Sequence, residues 1–551
     1  GDTIAVEPSV ARDILTDMLE SSSKADIYLR TSVRRAIMDG DRMTGMEAER
    51  LSQDGAEKIT FEARVFIDAT ERGDLLPLAG AAYRIGSSRS GRVRPEANVQ
   101  DITYVAVVKK YPGGLPNDLK MPGPPPGYEK HVKKFRSVVT VSGGRWPGSY
   151  PFDIPTHNAY RALPDPNNDY PIVGDNAETW RFITKTCVNW ANDFPGERGD
   201  RPGLSVMYAE DGEFRKKVER EAMNRTLSFL WYMQSELGMT DWSVDDSQGY
   251  GGWFSNDWQD AGDPLLPREF APILRFFPPF PYVREGRRVI GVETLTDSDI
   301  KRDASRGRAY KNYSSSLALG EYPVDVHGSH LDRYMEHDLG ESSGSFPKVW
   351  AGNQGVFQVP FGVFIPEKID GLIAAEKNIS VSRMVNGAIR LQPVTMHTGQ
   401  AAGAIAAESV RSGVIPRRVN VMSVQLALMR SGQWIAADQC ADADDEPYWL
   451  PVQWASLYEA LPKIKLSKTH FGATLPIKLE ELAQLLSVAF PGRAIGLSGA
   501  GDGKFISKGE FLRILSECGL RTDAASPDDW LLLSRGEAVR LVFGCAFPGM
   551  L

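Results

Sequence analysis

The stretch IRLQPVTMHTGQAAGAIAAE, from Ile389 to Glu408, constrains the fold of this chain more than any other. A proline-containing approach gives way to a run that is helical in propensity but stripped of bulk at Gly399, Ala401, Ala402, Gly403, Ala404 and Ala406. A helix this slim either packs closely on another backbone or lets a ligand approach its first N–H groups. Thr395, Thr398 and Gln400 are expected near its start, where a phosphate or an electron-rich ring edge would gain N–H contacts and a favourable dipole.

A second stretch, FEARVFIDATERGDLLPLAG, reads as a buried strand from Ala63 to Ile67 followed by a small polar turn at Asp68, Ala69, Thr70 and Gly73. Small residues at the carboxyl end of a strand permit close approach of a cofactor, and an open α/β sheet binds ligands at that edge. An ordinary strand-to-helix turn with an Asp cap is the alternative. Upstream, Pro8 and the stripe Val10, Ile14, Leu15 and Met18 predict a helix from about Pro8 to Glu20. A short strand, DIYLRTSV, follows, then two β-branched segments around Arg34 to Glu49 and Lys58 to Ile67, separated by a turn containing Gly55.

From about Gly86 to Asp370 the chain is aromatic-rich and broken by Pro/Gly loops. Strands are predicted at ITYVAVV and RSVVTVSG, and a long helix at EFRKKVEREAMNRTLSFLWYMQSELG. The tryptophans of TWRFITKTCVNWAND and GGWFSNDWQD suit a core better than a substrate-facing surface. After Arg411 the sequence is helix-rich, and no repeated unit points to a solenoid. Its GLSGAGDGKFISKGEF linker lacks the Ser/Thr of a phosphate-binding loop and, as an EF-hand, places Lys504 where the turn glycine belongs. A helix-turn-helix packing module with a degenerate EF-hand-like loop is expected.

With 71 acidic against 63 basic residues, the chain has no broad basic field for nucleic acid. Cys187, Cys440, Cys518 and Cys545 are scattered; free or buried thiols are favoured over one or two disulfides. No run is apolar enough to span a bilayer, and nothing fixes a cytoplasmic or exported location.

Two segments gather charge. YVREGRR, Tyr282 to Arg288, suits a salt-bridged scaffold, with a carboxylate- or phosphate-binding role for Arg284 as the alternative. EYPVDVHGSH holds Asp325, His327 and His330, with His337 shortly after; no HExxH or facial triad supports a metal, and a histidine near Asp325 could accept a proton or orient a substrate hydroxyl. No nucleophile elbow supports acyl chemistry.

Taken in order, FEARVFIDATERGDLLPLAG, YVREGRR, EYPVDVH and GLIAAEKNISVSRMVNGAIRLQPVTMHTGQAAGAIAA resemble the FAD-dependent oxidoreductases of the glutathione-reductase-like superfamily, over Glu7 to Gly413. The resemblance implies an α/β, glutathione-reductase-like FAD-binding fold with an incomplete Rossmann-like domain. Its parts would be 1–90 and 351–413, with an inserted mixed α+β substrate domain at 91–350 and a mainly helical module at 414–551. It implies that Asp68, Ala69, Thr70 and Gly73 pass beside the adenosine or pyrophosphate of FAD, and Thr31, Ser32 and Val33 beside adenine. Ser380, Ser382, Arg383, Thr395, Thr398, Gly399 and Gln400 would approach the ribityl chain and flavin ring. Arg390 would hold the flavin-side loop or neutralise an anionic flavin or substrate, and His327 or His397 would serve as base toward an alcohol.

The departure from the family pattern is the absence of a GxGxxG turn before Asp68, and the chain opens on Gly1 rather than Met. The expectation is therefore a large subunit whose FAD site is completed by a separate N-terminal polypeptide, through processing or a two-subunit arrangement. The expected reaction is hydride transfer from a small organic substrate to flavin N5, with oxygen or another electron acceptor. A flavin monooxygenase and a noncatalytic scaffold subunit are the alternatives.

Overall fold

The computed structural model describes residues 6–22, 24–52, 55–145, 150–165, 177–196, 203–248, 263–302, 309, 311–328, 331–344, 355–438, 448–461, 471–493, 503–520 and 530–548. His330, Cys440, GGWFSNDWQD and the first part of the EF-hand-like loop lie outside these.

The first helix, Pro8–Ser21, starts where Pro8 predicts, with the proline in its first turn. The strands after it differ from expectation. Strand structure begins at Thr31 rather than at Asp26, and the segment around Arg34 to Glu49 is split by Gly40, whose φ of 57° makes a tight reversal. The result is an antiparallel meander of Thr31–Asp39, Arg42–Ser52 and Gly55–Glu62. The predicted strand at Ala63 to Ile67 shrinks to Phe66–Asp68, paired in parallel with Leu372–Ala374. The Gly/Ala-rich helix, Gln392–Ser412, packs along this pair, with Ala401, Ala402 and Ile405 buried.

The inserted region builds its own antiparallel sheet, in which Ala106–Lys110 lies between Lys185–Val188 and Trp242–Val244. Its long helix Gly212–Ser235 is capped by Asp211, which accepts from Glu213 N and Phe214 N at 2.8 and 3.1 Å. Phe229 meets Phe135 edge to face at 5.1 Å, which fastens the helix to Tyr128–Arg136. Trp190 is half-buried among Phe152 and Tyr160.

The C-terminal region corrects the helix-turn-helix reading. Three similar units follow one another, each an extended residue leading into a helix: Leu479–Ala489, Lys508–Glu517 and Arg535–Ala546. At each helix start the glutamate at the third position reaches back to the backbone N–H before the helix, Glu481 to Lys478 N, Glu510 to Ser507 N and Glu537 to Ser534 N, and at Ser507 and Ser534 the serine hydroxyl accepts in return to complete a capping box. The extended residues close a ring of backbone hydrogen bonds, Ile477 N to Leu533 O, Leu533 N to Ile506 O and Ile506 N to Ile477 O, at 2.8 to 3.2 Å. The second half of the EF-hand-like loop is thus the start of one unit. There Glu510 accepts from Ser507 N at 3.1 Å and from Lys504 Nζ at 2.8 Å. Replacing Ser507 with Ala is expected to cost about 1 kcal/mol, read as a lower midpoint for urea unfolding. Helix Val421–Arg430, assigned above to this module, instead packs on Gln392–Ser412 and Ser316–Gly320.

Candidate functional site

Asp68 organises the first half of the site. It is fully buried at the end of its strand; Oδ1 accepts from Thr70 N and Thr70 Oγ1 at 3.0 and 2.7 Å, and Oδ2 from Leu75 N and Leu76 N at 3.0 and 3.2 Å. Burial pushes its pKa up, against these donors. Ala69 is exposed and Thr70 half-exposed beside it. Gly73 is required by the fold itself: it has φ of 65°, and a Cβ there would lie 2.7 Å from Arg287 O. Its bareness lets the turn dock on the YVREGRR segment.

That segment is a scaffold. Arg287 donates to Glu210, Asp74, Arg72 O and Ala209 O, and Arg288 to Glu336, Val381 O and Gly86 O. The Ser380 to Arg383 turn is equally committed to the protein. Ser380 Oγ accepts from Gly291 N, and Ser382 Oγ caps helix Arg383–Ile389 by accepting from Val385 N. The first N–H groups of that helix go to carboxylates, Arg383 N to Glu336 at 2.6 Å and Met384 N to Glu341 at 2.7 Å. Arg383 itself donates to Glu285 and Tyr334 O. Ser380, Ser382 and Arg383 are buried and hydrogen-bonded to internal partners, and so belong to the frame of the site.

The Gly/Ala helix begins at Gln392, so Thr395, Thr398, Gly399 and Gln400 lie past its first N–H groups instead of at its opening. Thr398 Oγ1 has its proton within reach of Thr395 O at 2.9 Å and of Glu376 O at 3.3 Å, the latter in the turn after Leu372–Ala374. Glu376 is held at φ of 57°, and Lys377 binds both Glu376 and Glu71 at 2.9 and 3.0 Å. Thr31, Ser32 and Val33 stand on the meander, and no hydrogen bond between described residues joins their side chains to this edge.

Several observations fit a large flat cofactor here. The helix start carries no side-chain cap. Gly399 and Gly403 are exposed, and a Cβ on either would meet nothing within 4 Å. Asn378 Oδ1 and His397 Nδ1 are buried atoms without a hydrogen-bond partner. The small residues leave room, and the free polar atoms await partners.

The second half of the site is an alternating chain of charges. Asp193 Oδ1 receives Arg284 at 3.0 Å, and its Oδ2 lies 2.7 Å from His327 Nδ1. His327 Nε2 is 3.2 Å from Asp325 Oδ2, which also receives Arg390 Nη2 at 3.0 Å; Arg390 Nη1 donates to Tyr282 Oη at 2.8 Å. Burial and Arg284 push the His327 pKa down, but Asp193 and Asp325 outweigh them and hold it above its ordinary value. Burial raises Asp325, yet His327 and Arg390 bring it down to about 2. Asp101, pushed up to about 7 by burial and then by Asp193, lies alongside. The cluster opens to solvent: His327 is 25% and Asp325 33% exposed at the side chain. Its other end, Arg390, is two residues from the start of the Gly/Ala helix, so both halves meet there. No hydrogen bond between described residues joins His397 to the cluster. Asp193, Asp101 and Tyr282 were missed in the sequence because their partners are distant in the chain.

Among the described residues no group of three or more His, Cys, Asp and Glu side chains is arranged to hold a metal, and Cys187 and Cys518 are free thiols. No described helix is long and apolar enough to cross a membrane.

A slim helix thus lies on a parallel strand pair in a mixed α/β fold, with a polar cluster at its start. The family model described as FAD dependent oxidoreductase matches residues 1–428, and the chain belongs to that family of enzymes. No curated protein and no solved structure matches it.

Proposed function

We propose that this enzyme oxidises a hydroxyl-bearing small organic substrate, with His327 accepting the hydroxyl proton. The facing pair of His327 Nε2 and Asp325 carries this reading. When His327 is neutral with its proton on Nδ1, Nε2 is an acceptor facing the acceptor Asp325 Oδ2, and a substrate hydroxyl reaching Nε2 from the solvent side would supply the donor it lacks. When bound, FAD supplies hydride acceptance at N5 and passes the electrons to oxygen or another acceptor. Arg390 holds Asp325 and Tyr282 in place at the helix start. Ala69, Thr70, Gly399 and Gly403 leave room for the cofactor, and Gln392 N–H lies at the uncapped helix end.

The glycine-rich unit that receives the pyrophosphate comes, in this reading, from a separate polypeptide or subunit. Two open surfaces support it. Among the described residues Phe66–Asp68 pairs on one side only, and Ile67 is exposed. Helix Pro8–Ser21 buries no residue and leaves Val10, Ile14, Leu15, Met18 and Leu19 exposed. A stripe of this kind is a docking face.

Native and denaturing mass spectrometry with an absorbance spectrum on the same untagged sample is the test. A second polypeptide together with flavin bands supports the split enzyme. Stoichiometric FAD in a complex of this chain alone rejects the second polypeptide, and a colourless sample with every partner present rejects the cofactor reading.

A further inference from the structure

The carboxylate behind His327 comes from a loop of the inserted region, far from it in sequence. That loop is rigidly held. Asn192 Nδ2 donates to Tyr104 O and Val188 O at 3.0 and 3.1 Å, and Phe194 N to Ile102 O at 2.8 Å. Arg225, from the long helix, donates to Pro195 O and Ala191 O at 2.8 and 3.3 Å. Asp193 between them uses both oxygens, one for His327 and the other for Arg284 and the Thr103 hydroxyl. Arg284 is fixed in turn by Asp101 O and Thr103 Oγ1. The 2.7 Å contact to Nδ1 is shorter than the 3.2 Å contact to Nε2, and Asp325 also serves Arg390. The proton is thus held more firmly on the Asp193 side.

We propose that Asp193 is the positioning residue of this site: it holds the His327 proton on Nδ1 and so presents Nε2 as the acceptor toward substrate. The inference rests on the reading of His327 as proton acceptor. It makes the inserted region part of the acid–base apparatus, since the imidazole is oriented only when the 191–195 loop is docked. A carboxylate on one ring nitrogen orients the ring and favours the imidazolium that forms as the other nitrogen takes a proton. The groups facing the imidazole are Asp193, Arg284 and Asp101 on one side and Asp325 with Arg390 on the other.

The test is titration of His327 in the protein as isolated, by NMR of selectively labelled histidine, assigned with His327→Gln. The wild-type midpoint is expected above the ordinary imidazole value of about 6.5. Asp193→Asn, which keeps the shape and removes the charge, is expected to lower it by about one pH unit. Because His327 must be neutral to accept a proton, activity rises with pH through this midpoint; the limb moves to lower pH in Asp193→Asn, and kcat falls more than KM changes. An unmoved midpoint in a folded Asp193→Asn overturns the proposal. So does a wild-type midpoint at or below the ordinary value, should the variant not fold. Absence of FAD or of alcohol oxidation overturns the functional reading instead, while the titration still decides whether Asp193 governs the imidazole.

Discussion

Arg390→Leu is expected to lose bound FAD or to slow flavin reduction by about a hundredfold, the loss typical of removing one preorganised electrostatic group. Arg390 is 4% exposed at the side chain and donates to the Asp325 carboxylate, to Asp325 O and to Tyr282 Oη. Leucine leaves Asp325 with His327 as its remaining close cation and strips Tyr282 Oη of this donor. Losing hydrogen bonds to a charged group in this half-open pair typically costs about 1 to 3 kcal/mol, so a lower unfolding midpoint should accompany the functional defect. Arg390→Lys separates the two effects. It keeps a positive charge but lacks the planar fork that reaches Asp325 and Tyr282 together, so stability should recover more than flavin reduction does. FAD content by absorbance and stopped-flow reduction are the measurements; wild-type values for both in Arg390→Leu would reject the assignment.

The second large effect is expected at Asp68. Asp68→Ala removes the acceptor of Thr70 N, Thr70 Oγ1, Leu75 N and Leu76 N, and the last two lie in buried surroundings. Each buried donor left unsatisfied costs about 1 to 3 kcal/mol, so a loss of roughly 4 kcal/mol is expected in urea unfolding. Asp68→Asn retains one carbonyl oxygen and should fall between. The turn that Asp68 folds carries Ala69 and Thr70, so a folded Asp68→Asn should also bind FAD more weakly. Equal unfolding midpoints for wild type and Asp68→Ala would show that the hydrogen bonds to this carboxylate contribute little.

Local signals were legible where a short segment carries its own instructions. Pro8 with the Val10, Ile14, Leu15 and Met18 spacing placed the first helix, and the Gly/Ala run marked the slim helix. His327 and Arg390 stood out as candidates by residue type, and the structure brings both to Asp325. The close approach of Arg287 O at Gly73 was not legible, because a bare residue looks the same in sequence whatever lies against it. The C-terminal repeat was missed because its units share little more than a glutamate at the third helical position, Glu481, Glu510 and Glu537, and an apolar run.

By itself the sequence determined the helices with caps and periodic faces, the slim helix, and the flavoenzyme family, because these depend on residues close together in the chain or on their order along it. Only the tertiary structure decided that Ser380, Ser382 and Arg383 face Glu285, Glu336 and neighbouring backbone, and that Asp193 stands behind His327. Those contacts join segments far apart in sequence, and which carboxylate meets which cation is settled by how the inserted region packs, a choice that no local pattern encodes.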